Sequence, residues 1–248
     1  MKKTLLATAV FLAAAVPTVA SAQLAFNVGA TTDYRYRGIS QTRLKPALQG
    51  GVDYSHASGF YVGAWASTIK WIKDSAGDSS VEVDLYGGYK GEISKTLSYD
   101  VGVLNYWYPR AVTTAWSTVY ANPNTSELYG ALTYGPATLK YSHAVTNLFG
   151  NMNSKNSYYL DLSATFDVAG FSVVPHLGYQ KVKSAPSLSY TDYSITVSKD
   201  FNGLVPSIAI VGTDTKDVAA NPNGYAYYSP AGKNLGRAAL VVGVKYNF

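Results

Sequence analysis

Apolar and polar residues alternate along most of the chain. In residues 24–37, Leu24 belongs to a mostly apolar set at even positions and Asn27 to a more polar set at odd positions. Residues 81–90 and 158–168 repeat the pattern. Side chains two positions apart share one side of a strand but lie on different sides of a helix. The alternation therefore predicts an all-β protein.

About twelve such runs can be counted, and their connections differ in length. The predicted strands cover 24–37, 47–55, 59–69, 80–90, 96–108, 125–134, 137–146, 157–168, 170–182, 190–201, 204–213 and 236–248. Short connections alternate with longer ones, and the first and last connections are long. Outer-membrane barrels show this pattern, because their periplasmic turns are short and their extracellular loops long. A β-sandwich could also supply a dozen strands, but it gives no reason to sort its connections by length.

Aromatic residues and the absence of long apolar runs also favour a barrel in lipid. No segment after the N-terminus approaches 18 consecutive apolar residues, so no transmembrane helix is predicted. Aromatic residues lie near predicted strand ends, where the membrane interfaces would be: Phe26, Tyr34, Tyr36, Trp107, Tyr246 and Phe248. A sheet in lipid must close to satisfy its backbone groups. We therefore predict a transmembrane antiparallel up-and-down β-barrel of about 12 strands.

The N-terminus has the pattern of a secretory signal peptide. Lys2 and Lys3 precede an apolar run from Leu5 to Val16, and small residues follow at 20–22. A dozen apolar residues are short for a membrane anchor. We therefore predict a cleaved signal peptide at 1–22 and one barrel domain at 23–248.

Two compositional features exclude whole classes of chemistry. The chain has no cysteine, which excludes disulfides and thiolate catalysis. Its net charge is only +5, and two of its lysines fall in the predicted signal peptide. That balance is too weak to indicate a nucleic-acid partner.

Residues 26–67 resemble the N-terminal signature of the TorF-type porins, a family of bacterial outer-membrane proteins. The matching core includes Thr32-Asp33-Tyr34-Arg35, Arg37-Gly38-Ile39-Ser40 and Gly59-Phe60-Tyr61-Val62-Gly63. Tyr246 and Phe248 at the C-terminus resemble the signal by which many such barrels reach the outer-membrane assembly machinery. The resemblance implies a porin-like role in the bacterial outer membrane.

The face opposite the lipid would line the bore, and it carries charges of both signs. Its charged residues are Asp33, Arg35, Arg37, Asp53, Glu82, Asp84, Lys90, Asp100, Glu127, Lys140, Asp161, Asp167, Asp200, Arg237 and Lys245. One interpretation is an ion-selective pore lining, because charged rings set channel selectivity. The other is a network of internal ion pairs that fills the bore and sets the register of the strands.

Arg35 and Arg37 are the main candidates for a functional site. Both are predicted to face inward on the first strand near its extracellular end, and Arg43 and Lys45 follow in the first loop. A basic cluster at the mouth would concentrate anionic solutes, although Asp33 could neutralise it. The sequence leaves both possibilities open.

Twelve strands give a barrel of intermediate width. Spacing and tilt predict a backbone diameter of roughly 24 Å and a channel of roughly 10 Å. A narrow pore for small solutes would fit this width. The loop at 109–124 or the loop at 214–235 could instead close it.

No motif indicates an enzyme. His56 falls in a predicted turn, His143 on the lipid-facing side of its strand, and His176 on the bore side. No nucleophile motif such as G-x-S-x-G accompanies them, and no residue cluster has the spacing of metal ligands. We therefore predict neither catalysis nor a cofactor.

These observations together predict an outer-membrane porin, a passive diffusion channel for small hydrophilic solutes that could favour anions. The expected partners are outer-membrane lipid and lipopolysaccharide, the barrel assembly machinery and the solutes themselves. The alternative is a non-conducting barrel that supports the envelope or displays its loops.

Overall fold

The computed structural model describes residues 23–215 and 227–248. Within these residues, twelve antiparallel strands form one closed barrel. The strands are β1 Gln23–Thr31, β2 Ala47–Ser55, β3 Phe60–Thr68, β4 Val81–Ser94, β5 Leu97–Trp107, β6 Thr125–Tyr134, β7 Ala137–Ala144, β8 Tyr158–Ala164, β9 Phe171–Lys181, β10 Tyr190–Ser198, β11 Leu204–Thr213 and β12 Ala239–Asn247. The predicted signal peptide at 1–22 lies outside the described residues.

Where the structure describes them, the connections contain only short elements. They include one-turn helices α1 (Trp71–Asp74) and α2 (Thr114–Ser117), a 3₁₀ turn at Pro186–Leu188, and a hairpin of Arg35–Tyr36 with Ile39–Ser40. No helix in 23–215 or 227–248 is long and apolar enough to cross a membrane.

The barrel closes between its first and last strands. β1 pairs with β12 from Asn27 opposite Asn247 to Thr31 opposite Gly243. Below this ladder, Phe26 and Phe248 exchange two backbone hydrogen bonds of 2.9 and 3.0 Å, and their rings stack with centroids 5.8 Å apart. Every strand thus has two neighbours, as lipid requires of a spanning sheet.

A proline interrupts the eighth strand. After a break at Thr165, β8 continues over Phe166–Val168 in the same register against β9. That register places Pro175 of β9 opposite Ala164, and proline has no N–H to donate to the ladder. The break is therefore local and leaves the barrel closed.

The outward face is an apolar belt. Its exposed side chains include Leu48, Leu85, Val101, Leu128, Leu162 and Ile210. Phe26, Tyr246 and Phe248 lie at the end with the short turns, and Trp107 lies at the end with the long loops. An apolar surface of this extent is stable in lipid but not in water. The predicted transmembrane barrel of 12 strands is confirmed.

The first predicted strand was too long. The prediction of 24–37 relied on alternation alone, but β1 ends at Thr31 and the chain then turns into the bore. Thr32 makes the last contact with β12, where its N–H donates to Val242 O at 2.8 Å. Tyr34 and Tyr36, predicted at the lipid interface, lie inside the bore.

Two other charges assigned to the inward face lie beyond strand ends. Asp200 is in the β10–β11 turn, where its carboxylate accepts the Gly203 N–H at 2.6 Å. Arg237 precedes β12 and is exposed at the mouth. In both cases the alternation continued past the point where the ladder ends.

Inward-facing tyrosines lie against glycines on neighbouring strands. The pairs are Tyr61 with Gly88, Tyr86 with Gly63, Tyr129 with Gly102, and Tyr159 with Gly178. A Cβ added at Gly63 would lie 2.5–2.6 Å from three atoms of Tyr86, closer than van der Waals contact. The missing side chain lets the ring lie along the wall, which leaves more of the bore open.

Replacing Gly63 should test this packing. We expect Gly63→Ala to lower the free energy of unfolding by about 1–3 kcal/mol, because the methyl group overpacks the Tyr86 ring. Urea unfolding in lipid vesicles measures the change. Gly130→Ala is the matched control, because its nearest neighbour would lie 3.9 Å away. Equal losses from the two variants would contradict the proposed role of the ring.

Truncating Phe248 should test barrel closure. We expect Phe248→Ala to reduce the fraction of folded barrel, because it removes the stack on Phe26 where the two ends of the sheet meet. The heat-dependent shift of the folded band on a gel measures that fraction. Phe166→Ala removes a lipid-facing ring away from the seam and should fold normally. Normal folding of both variants would show that the stack is dispensable.

Candidate functional site

Residues 33–42, which we call the plug, fold into the barrel and fill the extracellular part of its bore. The carboxylate of Asp33 organises them: it accepts Arg35 Nε at 2.6 Å, Ser40 Oγ at 2.5 Å and Thr42 Oγ1 at 3.2 Å. Arg37 and Gly38 adopt positive φ values of 45° and 77°, which reverse the chain between the two short strands. The plug therefore has its own polar framework.

The plug is attached to the wall mainly by polar contacts. Tyr34 donates its hydroxyl to Glu82 Oε1 of β4 at 2.5 Å, and the Tyr36 hydroxyl lies 2.5 Å from that of Tyr106 on β5. On the opposite side, Ser40 N donates to Leu235 O at 3.0 Å. These contacts span the bore, so the plug constricts its extracellular part.

Arg37 makes the farthest-reaching contacts of the plug. Its guanidinium donates to Glu127 Oε2 of β6 at 2.7 Å and to Gln180 Oε1 of β9 at 2.6 Å. It also lies 4.2 Å from the ring centroid of Tyr159 on β8. The side chains of Arg37 and Glu127 are only 6% and 1% exposed. Arg37 therefore joins three strands through one buried cation.

The charge of Arg37 is secured by its partner. Burial lowers the pKa of the guanidinium, whereas the Glu127 carboxylate raises it, and the net pKa lies above its ordinary value. Removing one partner of a buried ion pair is strongly destabilising, because the remaining charge is then buried without a counter-charge. The Arg37–Glu127 pair is therefore the main electrostatic tie between plug and wall.

The structure brings together part of the predicted site. Arg35 and Arg37 do lie in the bore, but in the plug rather than on a strand, and each is paired with a carboxylate. Glu82 and Asp84 are buried on the inward face of β4, and Glu82 also accepts the Tyr108 hydroxyl at 2.7 Å. Residues 33–42 occupy the bore, a segment that the sequence pattern assigns to a strand. The sequence leaves open whether the loop at 109–124 or the loop at 214–235 closes the bore, and described residues of both line the cavity above the plug.

Four predicted basic residues lie elsewhere. Arg43 is exposed above the plug and forms an ion pair with Asp74, beside the exposed Lys45. Lys245 is half-buried on the inward face of β12 near the periplasmic end. Together with the exposed Arg237, they form no basic cluster with Arg37.

Charges of both signs follow one line around the wall, which starts below the plug and rises to Asp192 beside Gly38 of the plug. The register places Lys90 opposite Asp100, Asp100 opposite Ala131, Ala131 opposite Lys140, Lys140 opposite Asp161, Asp161 opposite Gly178, and Gly178 opposite Asp192. Positive and negative side chains thus face each other on adjacent or nearby strands. This favours the interpretation of the inward charges as a pairing network.

His176 lies in the same region and is bracketed by two carboxylates. Its Nε2 is 2.8 Å from Asp161 Oδ2, and its Nδ1 is 3.6 Å from Asp192 Oδ1. The Tyr159 hydroxyl lies 3.1 Å from Nε2 and donates to Asp192. His176 thus faces the bore, as predicted.

The other two histidines lie away from the bore. His143 is on the outward face of β7, where it contacts Tyr141 and Asn156, and His56 is in the β2–β3 turn. The three histidines are therefore not gathered into one site.

A cavity of about 110 Å³ opens above the plug. It is lined by Tyr36, Ile39, Ser40, Gln41, Trp71, Ser75, Tyr108, Trp116, Tyr120, Leu148, Phe149, Asn151, Gln180, Tyr190, Tyr227 and Leu235. Gln180 and Tyr36 also contact Arg37. The cavity therefore reaches from the mouth to the layer of the Arg37 ion pair.

The sequence reasoning missed the partners of the plug. Gln180 and Tyr159 carry no charge and were read only as strand residues, although both meet Arg37. The cavity residue Trp71 was read as part of a loop. The only signal for Tyr159 and Gln180 in the sequence is the alternation along their strands, which places both side chains on the inward face.

The family comparison extends over most of the chain. A family model described as "Bacterial protein of unknown function (Gcw_chp)" matches residues 15–248. The chain belongs to this family. No curated protein matches the chain.

Several solved structures similar to this Gcw_chp member are named as porins. The KdgM porin has a TM-score of 0.57 at 11% identity, and the NanC porin 0.53 at 12%; each match covers 90% of this chain and 99% of the other. A second KdgM structure, "in complex with disordered oligogalacturonate", has a TM-score of 0.56 at 10% identity and covers 92% and 99%. At these identities the likeness shows the fold.

Removing the charge of Glu127 should show how firmly the plug is held. We expect Glu127→Gln to lower the free energy of unfolding by about 3–5 kcal/mol, because Arg37 then lacks its buried counter-charge. Urea unfolding in vesicles provides the measurement. Arg43→Gln, which breaks the partly exposed pair with Asp74, should cost about 1 kcal/mol or less. If Glu127→Gln also lowers the free energy of unfolding by only about 1 kcal/mol or less, the buried pair does not hold the plug.

Proposed function

We propose that the protein is an outer-membrane porin, a passive diffusion channel for small hydrophilic solutes whose constriction is the plug. The observation that carries this proposal is the polar, partly exposed lining of the bore below the plug. There, Asp53, Asp100, Lys140, Asp161 and Lys245 face inward and remain accessible. A barrel with a purely structural role could fill this volume with apolar side chains. The proposal requires no catalytic step.

The route through the bore would pass beside Arg37. The cavity above reaches Gln180 and Tyr36, and Lys140 and Asp161 lie below in the charged line. Because polar contacts attach much of the plug, water can replace them when a solute passes. The Arg37–Glu127 pair is then the narrow point of the route.

The structural neighbours support the proposal at the level of fold. Both are named as porins, and one KdgM structure is described with oligogalacturonate. The resemblance of residues 26–67 to the TorF-type porins points in the same direction. The matching residues between Asp33 and Ser40 make up most of the plug. We extend the proposal to location in the outer membrane among lipid and lipopolysaccharide, reached through a cleaved signal peptide and the barrel assembly machinery.

The predicted preference for anions has little support from the charges at the plug. Arg35 is paired with Asp33 at 2.6 Å and Arg37 with Glu127 at 2.7 Å. Glu82 lies in the same layer and accepts hydrogen bonds from tyrosines. The two arginines therefore add no uncompensated positive charge, and any anion preference would have to arise elsewhere in the bore.

The alternative is a non-conducting barrel. The observation that favours it is the burial of the plug itself, where Tyr34, Ser40 and Thr42 are all nearly inaccessible. Such a barrel would present its loops without passing solutes.

Planar-bilayer recording tests the channel. We expect the purified protein to conduct ions, and Arg37→Gln to raise the conductance, because the plug loses its ion pair with Glu127. Arg43→Gln is the matched control and should leave the conductance unchanged, because Arg43 lies outside the plug. If the membrane stays sealed with both the wild-type protein and Arg37→Gln, the non-conducting alternative is correct.

A further inference from the structure

The cavity above the plug differs chemically from the bore below it. None of the described residues that line it carries a charge, whereas the wall beneath carries charges of both signs. Burying a charged group without a counter-charge is costly. The cavity is therefore suited to a neutral occupant.

Aromatic rings form much of the cavity wall. Trp71 lies edge-on to Tyr108 at 5.1 Å and to Trp116 at 6.0 Å between ring centroids, and Trp116 packs against Tyr120 at 4.7 Å. Mutual packing holds these rings with few freely rotating groups, so they provide a rigid surface. Flat apolar faces of this kind suit the C–H face of a saturated ring.

Polar groups without charge lie among the rings. Gln41, Asn151 and Ser75 line the same cavity and can bond hydroxyl groups. The Trp71 indole N–H has no hydrogen-bond partner, so a small rotation of that ring toward a ligand oxygen would break no existing bond. Apolar walls with a few polar groups are typical of small-molecule sites.

The cavity is large enough to enclose only part of one sugar ring with its hydroxyl groups. Its volume of about 110 Å³ is somewhat below the roughly 150 Å³ of a cavity known to hold benzene. Its opening toward the mouth lets the rest of a larger solute remain outside. A hydroxyl-bearing six-membered ring would meet both the aromatic faces and the amide groups.

We propose that this cavity is a binding site for one ring of a neutral saccharide. The site gathers such solutes at the mouth, directly above the Arg37 layer. The inference deepens the proposed porin function by naming a class of solute, and it rests on that function for its physiological meaning. Binding itself can be measured in detergent, where no conduction occurs.

Titration calorimetry with glucose and maltotriose tests the site, with glucuronate as the charged counterpart of glucose. We expect the two neutral sugars to bind and glucuronate to bind much more weakly. Tryptophan fluorescence should change on binding, because Trp71 and Trp116 line the cavity. We expect Trp71→Leu to weaken binding about three- to tenfold through loss of an aromatic face.

Trp107→Leu is the matched control, because Trp107 lies on the lipid-facing side of the barrel and should not affect affinity. The heat-dependent gel shift confirms that each variant is folded. No binding of the neutral sugars would mean that the cavity holds only water and would overturn the site. Equal binding of glucuronate, or equal losses from the two tryptophan variants, would also overturn it. If sugars bind but the membrane stays sealed in the bilayer recordings, the saccharide site is supported and the proposed channel function is wrong.

Discussion

The whole structure depends on the pairing of its first strand with its last. In lipid the backbone amides can bond only to one another, so an open sheet edge would leave a row of them unsatisfied. The ladder from Asn27–Asn247 to Thr31–Gly243, extended by the Phe26–Phe248 bonds, removes that edge. Once the sheet is closed, alternate side chains must face either lipid or the bore. The apolar belt and the charged interior are both consequences of this constraint.

Closure also explains why the plug is polar. An inward face that carries polar and charged side chains on most of its strands cannot be covered by an apolar segment without leaving buried groups unsatisfied. The plug instead brings a tyrosine hydroxyl to Glu82 and the Arg37 guanidinium to Glu127 and Gln180. The apolar contacts are concentrated higher up, where Ile69, Ile72 and Trp116 cap one side of the mouth. The bore thus changes from charged to polar to aromatic toward the outside.

Sequence alternation predicted the barrel well because lipid imposes a strict period of two on each strand. β2, β6 and β11 have the predicted bounds. The first strand was predicted too long because residues 32–37 keep the alternation of apolar and polar residues while they turn inward. A period of two cannot distinguish a wall strand from a hairpin inside the bore. Arg37 was placed in the bore, but its partners Glu127 and Gln180 lie 90 and 143 residues away. Which side chains meet at such separations depends on the tilt and register of the strands, which no local pattern contains.

The framework of the plug is, by contrast, local in sequence. Asp33 is separated from Arg35, Ser40 and Thr42 by only 2, 7 and 9 residues, so forming these bonds closes only short loops and costs little chain entropy. The barrel seam joins residues more than two hundred positions apart. The order of folding follows from this difference, since contacts between near neighbours form faster than those between the chain ends. The hairpin can therefore take shape while the strands are still separate, whereas its bonds to Glu82, Glu127 and Gln180 form only when the wall assembles.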